Sequence, residues 1–266
     1  MAGPFQQFCL RVVTAPARRR FKAPARARAW TLASEDGTSL AAWELSPAGT
    51  PRGVVVLGHG YRDDRRQLLP FAQTLAGAGF TAVVFDFRAH GASAGERITI
   101  GHDEARDVRA LLAWARTQGL PVGYLGFSMG AASYLLSGIE ADVAVLDSPY
   151  DTLENAFAAR LGLLGLGRWT PSVREASRAL LDVDPATQRP VDRVSSLRSP
   201  TLVLFAPRDR WLPARVRERF RSQAAPSVEV TALASGGHSD HFDARWSERA
   251  LGWFEARLGV LSPRQP

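Results

Sequence analysis

A single cysteine, Cys9, rules out an intrachain disulfide and a thiolate metal cluster. Long apolar runs are also missing. No segment reaches the roughly 18 uncharged apolar residues that a membrane span needs. The stretch 5–13 is interrupted by Gln6, Gln7 and Arg11, which makes it a poor secretory leader. The expectation is a soluble, cytoplasmic protein. Internal repeats and low-complexity tracts are missing too, the 23 Gly and 17 Pro being scattered along the chain. What is present is an ordinary globular balance over 266 residues, 45% apolar and 22% charged. That suits one generous α/β domain or two small domains.

Acidic residues are absent from the front of the chain. Arg11, Arg18, Arg19, Arg20, Lys22, Arg26 and Arg28 all precede the first carboxylate, Glu35. Those seven account for the whole net charge of +7, so the rest of the chain is formally neutral. A basic arm over residues 1–29 suits contact with phosphate, or peripheral contact with an anionic membrane surface. Pro16 and Pro24 favour instead an extended segment lying along the flank of the domain, and no nucleic-acid partner is expected.

Beyond the arm, two short alternating segments, 30–32 and 40–43, flank Glu35-Asp36-Gly37 and read as a β-hairpin. Continuous apolar runs follow at 54–57, 81–85, 122–126, 143–146, 201–205 and 228–232. Runs apolar on both faces belong to strands covered by helices on each side. Helical periodicity fills the gaps at 68–78 and 104–118. The pattern predicts the α/β class, with a mostly parallel central sheet and helices on both faces. Residues 30–150 and 197–260 would form this core. Residues 151–196 lack a strand pattern and read as a small helical cap, in which Arg160 is the only charge of the apolar stretch 157–166. Phe157, Leu161, Leu164 and Trp169 are its candidate substrate-binding residues.

Gly126-Phe127-Ser128-Met129-Gly130 has the G-x-S-x-G spacing of a nucleophile elbow. It follows a buried strand and opens a helical stretch, 131–136, as that turn requires. A serine hydroxyl is a weak nucleophile and needs a base oriented by a third group. Asp209 lies just beyond the strand at 201–205, and His238 lies on a glycine-rich loop after 228–232. They follow Ser128 in the order acid, then base. His241 is a rival base, and Asp147 and Asp151 are rival acids, read here as turn and helix-capping groups. The oxyanion hole is assigned to the backbone N–H groups of Met129 and of Tyr61, in Gly58-His59-Gly60-Tyr61. His59 precedes the serine and reads as a structural support for that loop.

With these residues in place, the chain resembles the α/β-hydrolase superfamily, in its serine-hydrolase branch of small esterases, lipases and thioesterases. The matching segments span residues 54 to 243 and include Asp86-Phe87-Arg88-Ala89-His90-Gly91-Ala92-Ser93. The resemblance implies that Asp86, Arg88, His90 and Ser93 build a structural loop near the active site. Glu104 is the expected partner of Arg88. The implied reaction is acyl transfer from a small-molecule ester to water, with no metal and no organic cofactor. Thioesterase, lipase and peptidase activities are alternatives, and a non-catalytic binding or scaffold protein is the alternative of another class. The arginine-rich arm departs from the family pattern.

Overall fold

The computed structural model describes residues 3–262, apart from Leu164, Ser239 and His241. In chain order the first strands are β1 (Ala17–Arg18), β2 (Ala27–Ala33), β3 (Ser39–Leu45), β4 (Val54–Gly58) and β5 (Thr81–Phe85). They are followed by β6 (His90–Gly91), β7 (Val122–Phe127), β8 (Val143–Asp147), β9 (Thr201–Phe205) and β10 (Val228–Ala232). Eight of them form one sheet in the order β10-β9-β8-β7-β4-β5-β3-β2. The hairpin β2–β3 is antiparallel and β3 runs antiparallel to β5, whereas every pairing from β5 through β10 is parallel.

Period-two alternation divides the parallel strands between two cores. Val54, Val56, Val83 and Phe85 face one side, where α3 (Glu104–Arg116) and α4 (Met129–Ser137) pack. Val55, Leu57, Ala82 and Val84 face the other, against α2 (Leu69–Gly77) and α9 (Ala244–Arg257). Because the strands are parallel, the loops after β4, β7, β9 and β10 all emerge at one edge of the sheet. Between β8 and β9 the chain leaves the sheet for α5 (Leu153–Leu163), the 3₁₀ turn Gly167–Trp169, α6 (Thr170–Leu181) and α7 (Pro190–Arg193). The helix α8 (Ala214–Gln223) joins β9 to β10.

The front of the chain is not the extended flank that its prolines suggest. Pro4–Thr14 forms a helix, α1, with Pro4 at its first turn, where a missing N–H costs nothing. Cys9, Leu10 and Val13 share one face and are buried, packing against α6 and α5. The rest of the segment does run extended: β1 pairs with β6, and Tyr61 donates its hydroxyl hydrogen to the Val13 carbonyl at 2.7 Å.

Two further expectations are corrected. Arg88 does not pair with Glu104; it holds Asp107 at 2.7 Å and Asp36 at 2.7 Å, and its Nη2 also donates to Ser34. Glu104 turns to the Thr99 and Gly101 backbone amides and to the Thr99 hydroxyl. Asp147 is no turn residue but the acceptor for the Trp246 indole N–H at 2.6 Å, fastening α9 to the end of β8.

Candidate active site

The tight turn between β7 and α4 puts Ser128 at φ 50° and ψ −107°, a conformation L-residues rarely adopt. Neighbouring glycines make room for it. A Cβ on Gly126 would sit 2.6 Å from the Ala131 amide nitrogen, and one on Gly130 would sit 2.2 Å from the Gly58 carbonyl oxygen. The Ser128 amide donates to the Asp147 carbonyl at 2.7 Å, tying the turn to β8.

His238, from the loop after β10, places Nε2 2.9 Å from Ser128 Oγ and Nδ1 2.6 Å from Asp209 Oδ2. A carboxylate only accepts, so Nδ1 carries the proton and Nε2 accepts from the serine hydroxyl. Asp209 is fixed in turn by the Trp211 and Leu212 amides, which donate to its Oδ1 at 2.8 and 3.0 Å. Both the acid and the imidazole are largely shielded from water, at 1% and 9% side-chain exposure. That arrangement can take a proton from the serine and hold the imidazolium that results. Of the rivals, Asp151 is engaged by Arg219 and Asn155, and His241 lies outside the described residues.

Two other histidines shape the loop after β4. His59 donates from Nδ1 to the Gly60 carbonyl and accepts the Phe87 amide at Nε2. His90 donates from Nδ1 to the Arg88 carbonyl, and its Nε2 accepts the Arg62 amide at 3.2 Å. Each bond pattern requires a neutral ring. Burial depresses the pKa of both; for His59 the charge of Asp86 opposes it only in part, and for His90 the neighbouring His59 adds to it. Asp86 completes the support by accepting the Arg65 and Ala92 amides. Ser93 bridges the Asp86 carbonyl and the Ala41 amide. Arg62 follows Tyr61 directly, so His90 orients the peptide next to the candidate oxyanion donor. The other candidate, the Met129 amide, opens α4, where amides have no intrahelical acceptor.

A cavity of about 210 Å³ is lined by Ser128, Met129 and His238, together with Tyr150, Trp211 and Arg160. The face of α5 that reaches it carries Ala156, Ala159 and Arg160. Phe157 and Leu161, expected to line it, instead point into the core and are fully buried, because apolar residues four apart share the core-facing side of the helix. Leu164 lies outside the described residues, and only the backbone of Trp169 is placed, in the 3₁₀ turn. Arg160, Tyr150 and Trp211 were not singled out from sequence. The one signal for Arg160 was a lone charge within an apolar helical stretch.

The fold and the site together define the class: the chain has the α/β-hydrolase fold and is similar to esterases and lipases of that fold. Residues 49–166 match the family model described as serine aminopeptidase, S33. An uncharacterised protein of Mycobacterium tuberculosis is 28% identical over 237 residues, 86% of this chain and 79% of that protein. A monoacylglycerol lipase of Mycolicibacterium smegmatis is 30% identical over 155 residues, 54% of each chain. Among solved structures, an esterase of Pyrococcus furiosus superposes with a TM-score of 0.74 at 21% identity, over 92% of this chain and 98% of that one.

Proposed function

We propose that the protein is a serine hydrolase that cleaves carboxylic esters of small or medium acyl chain through an acyl-enzyme on Ser128. The observation that carries this reading is the hydrogen-bonded series Ser128–His238–Asp209 opening on a cavity. Ser128 Oγ attacks the ester carbonyl while His238 Nε2 takes its proton. Asp209 keeps the imidazole in the required tautomer and stabilises its charged form. The Tyr61 and Met129 amides hold the oxyanion. His238 then protonates the leaving alcohol, and a water activated by the same nitrogen releases the acid.

In this reading residues 151–196 act as a cap over the site, carried by a core of residues 30–150 and 197–260. The cavity volume supports a short substrate, since pockets for drug-sized ligands span about 300–1,000 Å³. A cavity of this size favours a short acyl chain over the long chain of a lipase substrate. An aminopeptidase must hold a substrate ammonium, and a cavity lined by Arg160 and Arg215 opposes one.

A fluorophosphonate probe tests the mechanism. The wild type should be labelled and Ser128→Ala should not. An unlabelled wild type, beside a reference hydrolase that reacts, sinks the proposal and leaves a binding or scaffold role. A panel of p-nitrophenyl esters of rising chain length, with acyl-thioesters and aminoacyl amides beside it, then separates ester from thioester and amide.

A further inference from the structure

Arg160 stands out among the charged side chains near the site. Its guanidinium carbon lies 4.4 Å from the Tyr61 ring centre and 3.7 Å from that of Trp211. Tyr61 belongs to the candidate oxyanion loop. Trp211 lies on the loop that Asp209 caps, with its ring 5.9 Å from the His238 ring. The cation is therefore two ring contacts from the imidazole, and it shares a cavity with Ser128.

Arg174 and Arg178, on the next helix, meet Glu154 and Asp184, and Arg219 meets Asp151. Among the described residues Arg160 meets no carboxylate. Stacking occupies the faces of the guanidinium and leaves its in-plane N–H donors for another partner. Asp151, the one acidic residue lining the cavity, is already held by Arg219 and Asn155, and a second arginine, Arg215, lines the cavity as well. Burial lowers the Arg160 pKa to about 10, partly offset by Tyr61 and Asp209, so it remains a cation at neutral pH. A half-buried charge with no carboxylate in contact is costly unless a ligand supplies one.

We propose that Arg160 docks an oxyanion carried by the substrate, so that the preferred ester bears a carboxylate or a phosphate-type group besides the bond that is cleaved. The assignment rests on the hydrolase reading above and narrows its substrate class.

The test uses three p-nitrophenyl esters of equal acyl length, ending in methyl, carboxylate or phosphonate. The expected result is a kcat/KM for at least one anionic ester about tenfold above the methyl ester, as suits a hydrogen-bonded charge pair. The favoured anion identifies which oxyanion the site takes. In Arg160→Gln the ratio of anionic to neutral kcat/KM should fall about tenfold, mainly through KM, and Arg160→Lys should recover part of it. Raising salt should shrink the ratio in the wild type. A wild type that favours the methyl ester, or a ratio unchanged in Arg160→Gln, overturns the assignment. Should Arg160→Gln not fold, the wild-type ratio, its salt dependence and Arg160→Lys decide the matter. Fluorophosphonate labelling keeps the two readings apart: a labelled enzyme without anion preference loses only the role of Arg160, whereas an unlabelled one loses the hydrolase itself.

Discussion

Ser128 keeps its positive φ because two glycines clear the space around it, and the clearance has a measurable cost when removed. In Gly130→Ala the new methyl meets the Gly58 carbonyl, a backbone atom that cannot step aside. Overpacking of this kind costs about 1–3 kcal/mol, so Tm should drop by several degrees, read by calorimetry. An unchanged Tm would contradict the close approach of α4 to β4. Asp209→Asn retains size but lets Nδ1 lose its proton preference, and kcat should fall roughly 10³–10⁴-fold with little change in KM. His90→Ala frees the Arg62 amide; we expect kcat to fall about tenfold or more while KM holds. An equal effect on both constants would mean a general loosening rather than a misplaced oxyanion donor. At this scale the sequence was legible where spacing and chemistry agree, as in the elbow serine and the acid and histidine that follow it on strand ends. The partner of Arg88 was not legible. Glu104 and Asp107 lie three apart on one helix face, and only the fold reveals that amides at Thr99 and Gly101 have already claimed the first.

The hairpin β2–β3 is joined to α3 by a cluster of buried Arg88, Asp107 and Ser34, with the more exposed Asp36 at its rim. Burial raises the pKa of Asp107 against the pull of Arg88. Burial also acts to raise that of Asp36, but hydrogen bonds from Arg88 and Thr38 outweigh it and hold the carboxyl well below the usual range. Removing one charge from such a group leaves the other exposed to a low dielectric. Asp107→Asn should therefore lower stability by about 3 kcal/mol, seen as a reduced urea midpoint. A midpoint within error of the wild type would mean Asp36 alone neutralises Arg88. Elements with strong periodicity were readable, since buried parallel strands announce themselves as unbroken apolar runs. The helix α1 was hidden for a physical reason. Only Cys9, Leu10 and Val13 need cover, Phe5 and Phe8 stay exposed, and the face exists only because α5 and α6 lie opposite it.

For the molecule as a whole, the buried neutral histidines set a limit on the acid side. His59 and His90 have folded pKa values below their unfolded value near 6.5. Above that value they cost nothing. As pH falls below it, the unfolded chain takes up protons that the native state refuses, so stability declines. The slope reaches up to about 1.4 kcal/mol per pH unit for each histidine. Denaturant midpoints should be lower at pH 5.5 than at pH 7.5, and the difference should shrink in His90→Gln. Equal midpoints at the two pH values would show that these rings accept protons in the folded state. The mostly parallel sheet and the edge where the loops gather follow from the sequence pattern and the rules of parallel sheets. The walls of the cavity do not, because they depend on which face of α5 turns inward.

The helix α1 lies at the front of the chain, far in sequence from Asp209 and His238, yet it is packed on α6 and on α5, whose Ala156, Ala159 and Arg160 line the cavity. Swapping residues 151–196 for the matching segment of another hydrolase would thus strand Cys9, Leu10 and Val13 against a surface they were not shaped for. A graft intended to change selectivity has to transplant two pieces at once, the segment 151–196 and the N-terminal helix packed against it.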